Sequence, residues 1–444
     1  MSYRFLRIGL FPPIAFLLLL TAVAQPLDSS KSSHIPPACQ GRPVSRVSGS
    51  EVFPKPAVSI NPNRPISKGQ QLALFYKLSN AIETTYIDPD FNGRYWPRVV
   101  DPIRAKIEDG LGTEAFYREM SDLVKSLGDD HSYFLSPVQV LEDKSRIEGP
   151  GNFVGLGAFM RPIVASKVVS VVAVYPDSPA EWSGLKMHDR VLAVDGIPLI
   201  ENGFVYQQRT LGPECSSSVF TVQTPGGPVR NISIVRYRTS GPPPVESRLV
   251  PTKDGSRIGY VFIPSFLDET VPDQIKKALE SFGDLDGLII DDRMNGGGAS
   301  NVLIPTLSFF AAGTVGNFVS RNAKRPLELS AKPVRNSQSV PLVVLIGKDT
   351  VSYGEVFAGV LQDLGRAKIV GETSRGNVET LRGHNFADGS QAWIAQERFE
   401  PIRSKVNWEK RGVKPDVEAH AEWDTFTFET DPGIAVAVRL LRPN

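Results

Sequence analysis

Between residues 258 and 371, short apolar runs alternate with stretches of helical spacing. Residues 258–263, 287–291, 342–346 and 368–371 read as strands, and they hold too few polar groups to keep one face in water. The intervals near 272–282, 301–310 and 353–364 read as helices. Such alternation predicts an α/β layer whose strands are buried.

Two junctions in this layer carry chemistry. After residues 287–291 comes Asp291-Asp292-Arg293-Met294-Asn295-Gly296-Gly297-Gly298. Glycines at a strand-to-helix turn expose backbone amides that can stabilise an oxyanion, although glycine runs are often only loops. After residues 342–346 comes Gly347-Lys348-Asp349-Thr350-Val351-Ser352-Tyr353-Gly354-Glu355. A serine there can present its hydroxyl at a helix N-terminus, although a plain N-cap serine is the commoner use.

The chain upstream is of different character. Residues 153–160, 168–175, 190–194, 219–222 and 232–235 read as short strands, with one short helix at 179–184. Residues 240–251, including Gly241-Pro242-Pro243-Pro244, read as a linker. Before this unit the reading is helical. Ser67 is a plausible N-cap, with Leu74, Leu78, Ala81 and Ile82 on one face. Thr113 is expected to cap a second helix that ends at Gly128, with Phe116, Met120, Leu123, Val124 and Leu127 inward. Residues 25–66 hold eight Pro and eight Ser and read as an extended, mostly unpacked arm.

Residues 1–24 carry Arg4 and Arg7, an apolar stretch and Ala22-Val23-Ala24, the pattern of a cleaved signal peptide. An uncleaved segment would instead be a membrane anchor, but roughly 20 apolar residues are needed to span. Export permits a disulfide, and Cys39 and Cys215 are the only candidates, left open by spacing alone. The chain has 49 Lys and Arg against 48 Asp and Glu, so no global positive field favours nucleic acid. Two cysteines and five histidines leave little room for a zinc site built from them.

Val154-Gly155-Leu156-Gly157, the strands after it and the run from Ser178-Pro179 to Asp195-Gly196 resemble a PDZ domain. There a glycine-rich turn receives a peptide carboxylate while the peptide adds a strand to the sheet. A PDZ-like unit followed by D-x-R-x-N-x-G-G, then Thr350-x-Ser352-x-x-Glu355, Val370-Gly371-Glu372 and Gly412-Val413-Lys414-Pro415-Asp416, resembles the PDZ-containing carboxyl-terminal processing proteases. The resemblance covers residues 67–444. It implies an α+β multidomain protein: signal peptide 1–24, arm 25–66, helical region 67–150, PDZ domain 151–240, and protease core 241–444. That core would be an α/β spiral related to the Clp protease and crotonase folds. Ser352 would be the nucleophile of an exported serine endopeptidase, periplasmic or extracellular, acting on proteins or peptides with no cofactor and no metal. Assembly of copies through a terminal helix at 432–441 would be in keeping with such a family.

One position departs from the pattern. The family's bacterial branch places a general-base lysine where this chain has Asn377, and an amide cannot take a serine proton at neutral pH. Arg375 nearby cannot serve either. The tricorn-core branch resembles a Ser/His/Glu arrangement instead, which implies His131 as base and Glu409 as the group that orients it. Backbone N–H groups of Tyr353 and of Gly297 or Gly298 would form the oxyanion hole. His384 is the second candidate base and Lys348 the last. The alternative is an inactive pseudoprotease that binds peptides through the PDZ groove.

Overall fold

The computed structural model describes residues 35–41, 65–141, 153–239 and 243–442. The expected signal peptide and most of the arm lie outside these residues. Among the described residues no helix is long and apolar enough to cross a membrane.

The apolar runs become one six-stranded sheet. Its order is Glu246–Val250, Ile258–Phe262, Gly287–Asp291, Leu342–Ile346, Lys368–Gly371 and Val417–Glu418. All neighbours pair in parallel except the first, which lies antiparallel at the edge. Residues 246–250, read as linker, are therefore part of this sheet. Strand period two sends alternate side chains to opposite faces. Val261, Leu288, Ile290, Val344 and Ile346 meet the helices Val271–Phe282, Ser300–Ser308 and Tyr353–Asp363 on one face. On the other, Tyr260, Phe262, Ile289, Val343 and Leu345 meet the terminal helix Pro432–Leu441. That helix buries Ile434, Ala437 and Leu441 within the chain, so this apolar face is already occupied.

A second sheet links the two ends of the sequence. The short strand Tyr133–Leu135 pairs with Gln391–Pro401, which also pairs with Thr380–Asn385 and Gly313–Val319. The helices Lys68–Thr85, Trp96–Asp109 and Thr113–Lys125 share one hydrophobic cluster with Phe386, Ala392, Ile394 and Ala395. The helical region is thus built onto a hairpin more than 250 residues downstream. Ser67 caps the first helix through a reciprocal bond with Gln70. Gly112, not Thr113, is the N-cap of the third, and Thr113 Oγ1 instead accepts from Ile66 N.

The β-rich unit is a sheet ordered Val229–Val235, Ser217–Gln223, Arg190–Val194, Val168–Val174 and Ala158–Ile163. Ala158–Ile163 is an edge strand. A disulfide joins Cys39 to Cys215, with Cα atoms 5.4 Å apart. Ile35, Val235 and Tyr237 pack around it, so this part of the arm is docked rather than unpacked. The unit meets the core through Val172 and Ala173, which join the cluster of Phe262, Trp423 and Phe426. His188 lies buried there, its Nδ1 2.9 Å from the Trp423 carbonyl oxygen, while Trp423 Nε1 donates to Val171 O.

Candidate active site

Ser352 stands between a buried strand and a buried helix, with φ 56° and ψ −120°. A non-glycine residue in such a region costs of order 1–3 kcal/mol, so its surroundings must impose the conformation. They do so through Glu355, whose side chain has no solvent exposure. Glu355 Oε2 accepts from Ser352 N at 3.1 Å and Asn377 N at 2.8 Å. Oε1 accepts from Ser374 Oγ and Gly376 N, both at 2.6 Å. Ser352 N also reaches Asn377 O at 2.9 Å. One carboxylate thereby ties the serine turn to the loop after the next strand. Burial raises the Glu355 pKa, and the four hydrogen bonds oppose that rise.

The glycine turn lies against the serine. A Cβ on Gly297 would fall 2.7 Å from Ser352 Cβ, and one on Gly298 would fall 2.1 Å from the carbonyl carbon of Phe266. Only glycine fits either place. Of the amides expected to form an oxyanion hole, that of Gly297 donates to Asn295 Oδ1 at 2.9 Å. The N–H groups of Gly298 and Tyr353 have no acceptor among the described residues. The Asp and Arg of the D-x-R stretch do something else. Arg293 is buried between Asp291 and Asp431, with Nε 2.9 Å from Asp291 Oδ1, and so fastens the terminal helix to the sheet.

His131 is set by the turn before it. Asp129 Oδ1 accepts from the backbone amides of His131 and Ser132, and Ser132 Oγ accepts from Ala395 N. His131 Nε2 lies 3.3 and 3.2 Å from the two carboxylate oxygens of Glu409, both side chains being largely buried. Glu409 Oε2 also accepts from Val378 N at 3.0 Å. Burial lowers the His131 pKa, but the Glu409 hydrogen bond and charge prevail, helped by Glu379 and Asp129, and hold it above its ordinary value. A carboxylate at Nε2 keeps a proton there and leaves Nδ1 as the lone-pair nitrogen.

Ser352 and this pair are joined through two residues, since Asn377 bonds the serine and Val378 bonds Glu409. No hydrogen bond joins Ser352 Oγ to His131 among the described residues. Asn377 Oδ1 is buried without a partner.

Glu379 was not singled out by sequence. It has one carboxylate oxygen within 4.8 Å of ligand atoms on both His131 and Glu409. Burial, with the Glu409 charge next, pushes its pKa up to about 7. Its only sequence signal is its place two residues after Asn377.

The other candidate bases are engaged elsewhere. His384 Nε2 lies 2.8 Å from Gln396 Nε2 on the neighbouring strand, and Gln396 in turn bonds Thr85. Lys348 is ion-paired with Glu422, which raises its pKa. In the β-rich unit, Val154 and Gly155 pair with Arg238 and Tyr237. Leu156 O accepts from Ala180 N, and Gly157 O from Tyr175 N and Ser178 Oγ. The amides of Leu156 and Gly157 have no acceptor among the described residues.

Comparison with known proteins locates this architecture. Residues 257–419 match the model of Peptidase family S41. A carboxyl-terminal-processing protease of Picosynechococcus is 29% identical over 374 residues, covering 81% of this chain and 86% of that protein. Among solved structures, a photosystem II D1 C-terminal processing protease aligns with a TM-score of 0.56 at 24% identity, covering 80% of this chain and 94% of that one. The tricorn protease aligns with a TM-score of 0.50 at 16% identity, over 84% of this chain and 36% of that one. Both structural likenesses concern the fold.

Proposed function

We propose, for a chain that belongs to the carboxyl-terminal processing serine protease family, that Ser352, His131 and Glu409 carry the hydrolysis. The chain is a serine-type protease acting on protein substrates; the residue roles are the proposal. The observation that carries them is the buried His131–Glu409 pair, bonded through Val378 to the loop that holds Ser352.

In this reading Ser352 Oγ attacks the scissile carbonyl carbon while its proton passes to His131 Nδ1. Glu409 stabilises the resulting imidazolium. Tyr353 N–H and Gly298 N–H receive the oxyanion. The tetrahedral intermediate collapses as His131 returns the proton to the leaving amine, and water then hydrolyses the acyl-enzyme by the same route. Attack requires the His131 loop and the serine turn to close until Oγ and Nδ1 come within hydrogen-bond reach. The free edge of Ala158–Ile163 and the unpaired amides of Leu156 and Gly157 suit a PDZ-like unit that adds a substrate C-terminus as a strand. Arg161 on that strand bonds Asp349 in the serine loop, which ties the two sites together. Residues 1–24 direct export.

The test compares wild type with Ser352→Ala on unfolded β-casein, alongside fluorophosphonate labelling. Both cleavage and labelling are expected to vanish in the variant. Equal cleavage would exclude Ser352. A wild-type protein that binds C-terminal peptides yet neither labels nor cleaves would be the peptide-binding module instead.

A further inference from the structure

Three donor groups converge where the proposed proton-transfer residues lie, and one of them is held by no hydrogen bond or ion pair among the described residues. His131, Glu379 and Glu409 each offer one ligand atom, all within 4.8 Å of one another. The Glu379 carboxylate makes no hydrogen bond or ion pair with a described residue, whereas Asp129, the other nearby acid, is consumed by Ser132 and the His131 turn. A tetrahedral Zn²⁺ with bonds of about 2.0–2.1 Å places its ligand atoms about 3.3 Å apart. His131 Nε2 and Glu409 Oε2 already stand 3.2 Å apart. A side-chain adjustment of Glu379, whose carboxylate oxygen lies within 4.8 Å of ligand atoms on both, would complete three corners, leaving the fourth to water or substrate.

We infer that His131, Glu379 and Glu409 form an inhibitory site for one divalent transition-metal ion of the Zn²⁺ class. An imidazole with two carboxylates favours such ions over Ca²⁺ or Mg²⁺, which take all-oxygen shells. The metal takes the Nε2 lone pair and draws Glu409 from the imidazole, so the neutral ring carries its one proton on Nδ1. With no lone pair left on Nδ1, His131 cannot accept the Ser352 proton until the ion leaves. The inhibitory half rests on His131 as the base; the binding half stands on the three donors alone. Few histidines do not exclude a metal where carboxylates supply two of the ligands.

The experiment titrates the full chain with Zn²⁺ in competition with a chromophoric chelator at pH 8, and follows casein hydrolysis in parallel. Wild type is expected to bind one equivalent with loss of hydrolysis, reversed by excess chelator. Glu379→Gln is expected to hydrolyse casein in metal-free buffer yet bind Zn²⁺ at least about 10-fold more weakly and resist inhibition. His420→Gln guards against the exposed His420, which lies 3.1 Å from Glu372 and 3.6 Å from Glu418. It should bind as wild type does. No stoichiometric binding, unchanged affinity in Glu379→Gln, or loss of binding in His420→Gln would overturn the site. Tight binding through Glu379 without inhibition would overturn the inhibitory half and remove His131 as base. If Glu379→Gln fails to fold, the Co²⁺ spectrum of wild type decides. Tetrahedral bands lost in His131→Gln support the site, and their absence in wild type refutes it.

Discussion

Replacing Glu355 with glutamine changes one atom of the group that shapes the serine turn. The carboxylate accepts four hydrogen bonds, two on each oxygen, from Ser352 N, Asn377 N, Ser374 Oγ and Gly376 N. An amide keeps one oxygen and turns an NH₂ toward the other two donors. Two buried donors then lose their acceptor, at roughly 1–3 kcal/mol each, so the core should lose about 2–6 kcal/mol. Because Ser352 is held at positive φ by this bracket, its reactivity should fall as well. Equilibrium urea unfolding followed by the buried Trp408 and Trp423 reads the first effect, and the rate of fluorophosphonate labelling reads the second. A Glu355→Gln protein within about 0.5 kcal/mol of wild type, with Ser352 labelled equally fast, would refute the bracket.

Three other perturbations test separate parts of the structure. Reducing the Cys39–Cys215 bond opens a loop with a sequence separation of 176, and should destabilise the β-rich unit by up to about 5 kcal/mol in the chain-entropy limit; protease sensitivity of that unit with and without reductant measures it. Burial pushes the His188 imidazole down to about 4, with Arg293 and Arg248 opposing and Asp291 aiding its charge. Unfolded chain binds that proton from about pH 6.5 downward, so stability should be flat above 6.5 and fall by about 3 kcal/mol by pH 4; the pH series of urea midpoints should lose this component in His188→Phe. Glu409→Gln leaves burial opposed only by the Glu379 and Asp129 charges at His131 and should move the acid limb of kcat/KM to lower pH while cutting kcat by about 10²–10⁴-fold; an unmoved limb with full activity would count against the pair.

Elements set by local chemistry were legible in the sequence, and elements set by distant partners were not. The four buried strands could be read because each run is apolar on both faces. The helix Trp96–Asp109 was not, since Pro97 in its first turn and Pro102 inside it interrupt the helical pattern. The strand Glu246–Val250 was hidden behind three prolines and becomes a strand by pairing with Ile258–Phe262. At the site, Ser352 stood out by its junction, and the 278-residue separation of His131 and Glu409 was bridged only by resemblance to a family. Glu379 showed only its nearness to Asn377, because its burial and neighbours arise from the tertiary fold. Asn295 likewise captures the Gly297 amide through a bond that glycine counting cannot foresee.

Whether His131 takes the Ser352 proton decides between catalysis by this pair and any other base. The measurement is the second-order rate of fluorophosphonate reaction with Ser352 in wild type and His131→Ala at pH 8, in metal-free buffer, with folding of both checked by urea unfolding. A fall of about 10²–10⁴-fold is expected in the variant. A folded His131→Ala protein that labels at the wild-type rate would contradict it.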